Sequence, residues 1–73
     1  MLYYKIEPLK ALKEKGYSTY KLSKEQLLSV GTIQKLREQK PIGWENLNKL
    51  CDLLNCQPGD ILAYIPDDNM HQN

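Results

Sequence analysis

Residues 17–40 read YSTYKLSKEQLLSVGTIQKLREQK, and this stretch decides the fold. Ser18 and Ser29 each stand before a short segment with apolar residues at helical spacing. Leu22, Leu28, Ile33 and Leu36 supply one shared apolar face. A serine in this position accepts a hydrogen bond from an early backbone N–H and so opens a helix. The pattern predicts a short helix over about residues 19–25, a tight break at Gln26-Leu27-Leu28, and a second helix over about 30–38. Two helices crossing steeply need a small residue where they touch, and Ser23 is the expected one.

Working outward, a preceding helix is predicted over about 6–15. Ile6, Leu9, Leu12 and Ala11 form its inner side, and Lys10, Lys13, Glu14 and Lys15 its outer side. Pro8 falls in the first turn, where its missing N–H matters least, and Gly16 supplies a left-handed stop. After the pair, Pro41 forbids a continuous helix and Gly43 can cap the next one. Leu47, Leu50, Cys51 and Leu54 repeat at three and four residues, which predicts a helix over 44–54 with Asn55 as its cap. A short fifth helix starts at Pro58 and drops Ile61 and Leu62 into the core. Residues 1–6 and 62–65 are aromatic and β-branched. They can pair as a two-stranded ribbon or continue a helix. The expected fold is thus all-α, five helices with a possible small ribbon at the ends. The domain covers 1–66, and residues 67–73 form a polar tail expected to fray.

Seventy-three residues make one domain, with room for one core and a surface site but no deep cleft. The net charge of +1 conceals a bipolar chain: residues 1–40 hold nine Lys or Arg against four Glu, and residues 41–73 hold one Lys against five acids. A basic half suggests a face that meets an anion. No apolar run reaches membrane-spanning length and no signal-peptide pattern opens the chain, so a cytoplasmic location is expected. Cys51 and Cys56 are expected as free, partly buried thiols. With His71 as the sole histidine, neither a metal site nor a cofactor is expected. The sequence offers no acid–base pair, no nucleophile with a partner histidine and no phosphate-cradling glycine loop, so an enzyme with a small-molecule substrate is not expected.

Three segments carry a family resemblance: TYKLSKE at 19–25, SVGTIQKLREQK at 29–40, and NKLCDLLNCQPGDIL at 48–62. Over about residues 5–66 the chain resembles the phage-repressor or Cro type (XRE-like) of helix-turn-helix regulator, in its compact single-domain form. The resemblance implies a lambda-repressor-like domain that binds double-stranded DNA. In such domains the second helix of the pair enters the major groove and the first crosses the backbone. By position, it places Val30, Gly31, Gln34 and Lys35 nearest the base edges. It places Ser18, Thr19, Tyr20, Ser29, Thr32 and Lys40 near phosphates. The chain departs from the family at three points. Leu27 stands where glycine is common in the turn, Gln39 where glycine is common after the second helix, and Val30-Gly31 where a polar pair is usual. The last implies modest sequence readout. A homodimer is expected, with Trp44, Tyr3, Tyr4, Tyr64 and Ile65 as candidates either for its interface or for covering the small core of a monomer. The competing reading is a protein-interaction module on the same frame.

Overall fold

A computed structural model describes residues 1–67. The order is β1 (Leu2–Tyr4), α1 (Pro8–Glu14), α2 (Thr19–Lys24), α3 (Val30–Arg37), α4 (Trp44–Leu54), α5 (Pro58–Ile61) and β2 (Leu62–Tyr64). The fold is mostly helical, with a small ribbon at the ends. The ribbon is antiparallel and pairs Leu2 with Tyr64, Tyr3 with Ala63 and Tyr4 with Leu62. The tail expected to fray lies outside the described residues from residue 68 on.

The core is aliphatic and draws on every helix: Leu12, Leu22, Leu28, Ile33, Leu36, Leu50, Leu54 and Ile61 are buried. Each fully buried side chain of this kind stabilises by about 1.5–3 kcal/mol. The residues predicted inside helix 1 separate into two groups. Leu12 is fully buried, whereas Ile6, Leu9 and Ala11 pack half-buried at the margin. The helix itself is shorter than 6–15, because Pro8 takes its first position and leaves Ile6 and Glu7 outside.

Four helices end in one way. In each, the residue just past the helix is left-handed: Gly16, Gln26, Gln39 and Asn55, with φ of 95°, 57°, 58° and 53°. In each, the following N–H reaches back five residues, as Tyr17 to Leu12 (2.8 Å), Leu27 to Leu22 (2.9 Å), Lys40 to Lys35 (2.7 Å) and Cys56 to Cys51 (3.0 Å). The left-handed residue's own N–H bonds three residues back, for example Gln26 to Ser23 at 3.1 Å and Asn55 to Asp52 at 3.3 Å. These are Schellman motifs, which satisfy otherwise orphaned carbonyls and bring the two flanking side chains together.

This pattern shows how the turn is built with leucine where the family often has glycine. Leu27 does not take the left-handed conformation; Gln26 does, and Leu27 is freed to pack half-buried on the core. Glutamine carries a steric penalty there of about 1–2 kcal/mol, part of which a glycine returns as unfolded-state entropy. Gln26→Gly is therefore expected to stabilise the domain by about 0.5–1 kcal/mol, measured as a higher denaturation midpoint. An unchanged or lower midpoint would contradict the assignment. A correction concerns Ser23, which is exposed and so does not set the close approach of α2 and α3.

Candidate nucleic-acid interface

Both helices of the central pair are opened by their serines. Ser18 Oγ accepts from the Lys21 N–H at 3.2 Å, and Ser29 Oγ accepts from the Thr32 N–H at 3.1 Å. Ser29 also donates to Thr32 Oγ1 at 2.9 Å. Thr32 is only 5% exposed, so the structure turns it inward. Its hydroxyl is committed to the start of α3 and is not presented to a phosphate, contrary to its expected place. Ser18, Thr19, Tyr20, Ser29 and Lys40 are all exposed.

Burial of Thr32, Ile33 and Leu36 fixes the rotation of α3. Val30, Gly31, Gln34, Lys35 and Arg37 are left on its exposed side. Val30 is 70% exposed, unusual for an aliphatic residue. The Schellman motif after α3 adds something spacing alone does not show: it sets Lys35 and Lys40 side by side, two cations at the exit of the helix. Their loop is held from the far end of the sequence, where the Tyr4 hydroxyl donates to the Lys40 carbonyl at 2.7 Å. Tyr4 is half-buried against the core, and burial raises the pKa of its phenol. It therefore acts as a brace and covers the core, one of the two roles the sequence allowed it.

A polar network crosses the outer face of α3. Arg37 donates to the Gln34 amide oxygen at 2.6 Å, and the Gln34 amide nitrogen donates to Glu38. Glu38 also pairs with Lys40 at 2.9 Å. Bonds from Lys40 and then Gln34 hold the Glu38 carboxyl below the usual carboxylate range. Glu38 ties the helix to its exit loop, a role its sequence position did not single out. Its spacing of four from Gln34 was the available signal. It bonds to two of the groups expected to meet nucleic acid, Gln34 and Lys40, and so competes with an outside ligand for them.

On the neighbouring helix, Lys21 sits over the Tyr17 ring at 5.3 Å and Lys24 over the Tyr20 ring at 5.4 Å. Tyr20 is 70% exposed and carries its cation outward instead of packing on α1 or α3. With Lys35, Arg37 and Lys40, these residues make the exposed surface of α2, α3 and their exit loop cationic. Glu25 and Glu38 are the exposed acids at the ends of α2 and α3, while Glu45, Asp52 and Asp60 lie on or beside α4 and α5. Among the described residues, no group of acidic, histidine or cysteine side chains could hold a metal, and no helix is long and apolar enough to cross a membrane.

A family model described as the Cro/C1-type HTH DNA-binding domain matches residues 9–67. No curated protein and no solved structure gives a significant match.

Proposed function

The chain belongs to the Cro/C1-type helix-turn-helix DNA-binding family, and from that premise we propose that α3 reads the major groove while the start of α2 rests on the phosphate backbone. DNA binding as a regulator is what the family supports. The observation that carries the finer reading is the exposed side of α3, where Val30, Gly31, Gln34 and Lys35 are free of the core and bordered by cations. Lys35 offers a donor for guanine O6 and N7, Gln34 an amide for adenine, and Val30 a methyl contact for thymine. Ser18, Thr19, Tyr20, Ser29 and Lys40 position the domain on phosphates.

Gly31 strengthens this reading. Glycine inside a helix costs about 1 kcal/mol relative to alanine. A Cβ built there meets only Ser29 Oγ, at 4.0 Å, so the fold does not require the glycine. Its absence of a side chain is useful to a surface that approaches α3 closely from outside. Gly31→Ala is expected to stabilise the isolated domain by about 1 kcal/mol while weakening its binding to duplex DNA. Equal or tighter binding would remove the close-approach argument.

The primary test is a salt titration of duplex binding, with sites first selected from a random DNA pool. Lys21, Lys24, Lys35, Arg37 and Lys40 are five exposed cations, which allow a log–log salt slope of up to about −4.5 per copy. Twice that slope would mark two copies on adjacent half-sites, about one helical turn apart. We propose such a homodimer, with Trp44 (91% exposed), Tyr3, Tyr64 and Ile65 as candidate contacts. If no duplex is bound at low salt, the competing protein-interaction reading stands. The Gln34–Glu38–Lys40 network is the specific observation in its favour.

A further inference from the structure

The Schellman motif that ends α4 sets two cysteines at its paired positions. Cys56 N–H donates to the Cys51 carbonyl at 3.0 Å, across left-handed Asn55. With standard backbone bond lengths, that hydrogen bond limits the Cα–Cα separation to roughly 7 Å even if the atoms were collinear. The real separation is shorter, and disulfides span Cα distances of about 4.4–6.8 Å. Side chains at these two positions of a Schellman motif frequently meet, and Leu12 with Tyr17 and Leu22 with Leu27 hold the same positions elsewhere in the chain. Both thiols are free and half-buried. They are not sealed in. A polar hollow of about 480 Å³ is lined by Asn48, Cys51, Asp52, Asn55, Cys56 and Gln57. Among the described residues no third metal ligand completes the pair, so its chemistry is that of a dithiol.

We propose that Cys51 and Cys56 form a dithiol modification site that a hydroperoxide converts reversibly to an intrachain disulfide. One thiolate attacks the peroxide: an S–O bond forms, the O–O bond breaks, and the alcohol or water leaves. The second thiol then attacks that sulfur: the S–S bond forms and water leaves with the sulfenic oxygen. The two sulfurs lose two electrons and the peroxide gains them. Burial first, then the neighbouring Cys51 and Asp60, raises the pKa of the Cys56 thiol. The bridge staples the last turn of α4 to the residue that leads into α5, without any left-handed residue having to move.

The test uses the full chain, reduced and then exposed to hydrogen peroxide, beside the single variants Cys51→Ser and Cys56→Ser. In the native chain, the intact mass of the monomer should fall by two hydrogens, both thiols should resist alkylation, and a dithiol reductant should reverse both effects. Neither variant should show the mass loss within a monomer. The proposal is overturned if both thiols stay alkylatable under conditions that oxidise glutathione. It is equally overturned if the products are only sulfinic or sulfonic acids, or only disulfides between chains. No nucleic acid enters the experiment, so its outcome is independent of the DNA-binding reading.

Discussion

Leu22→Ala is expected to unfold much of the domain near body temperature. Leu22 is fully buried, and its carbonyl receives both the Leu27 N–H at 2.9 Å and the Leu28 N–H at 3.3 Å. The side chain therefore sits at the centre of the core while its backbone anchors the turn between α2 and α3. Truncating a buried leucine to alanine costs about 2–5 kcal/mol, the larger values where the surroundings cannot collapse into the space. A domain of this length is stable by about 4–11 kcal/mol in all, so the loss is a large share of the total. Denaturant unfolding should show a midpoint lowered by that amount with a similar slope. A loss under about 1 kcal/mol would mean that this leucine is not at the centre of the packing.

The second large effect is on binding and not on folding. Replacing Gln34 and Lys35 together by alanine should flatten the difference between a selected DNA site and random duplex. Each well-made base contact carries about 1–3 kcal/mol of discrimination, so losing two should cut the ratio by about thirtyfold or more. Both residues are exposed, so stability should change by no more than about 0.5 kcal/mol. Measuring both quantities on one preparation separates recognition from folding. Retained preference in a folded double variant would move base reading away from the middle of α3.

The elements with a strong period were legible. Helix α4 runs over Trp44–Leu54 as its leucine spacing indicates, and Ser18 and Ser29 cap the two helices they precede. The ribbon was legible as one of two options, and it forms because its residues suit a half-covered pleated surface. The left-handed positions were legible only where the residue advertises them. Gly16 and Asn55 do; Gln26 and Gln39 do not, because glutamine has no preference for that region and is held there by the packing of its neighbours. For that reason Leu27 looked like the strained residue. Thr32 and Ser23 failed for a different reason. Each lies at the edge of a helix face, where a rotation well within one turn decides between core and solvent. The brace from Tyr4 to Lys40 joins residues 36 apart and leaves no local mark at all. At the candidate site, the residue types and their helix were readable. The tie from Gln34 through Glu38 to Lys40 was not, since it depends on side-chain rotamers.

The ribbon ties residues 2–4 to residues 62–64, which gives the chain an order of assembly. Closing a loop of that size has a large entropic cost that three residue pairs cannot offset unless the helices between them have already folded. The ribbon is thus a late arrival in folding and an early departure in unfolding. Its amides should lose their exchange protection while those of α4 still report the global stability. Because the same strand carries Tyr4, its opening would also release the Lys40 loop. Slow breathing at the chain ends would then be felt at the exit of α3, on the opposite side of the sequence but not of the molecule.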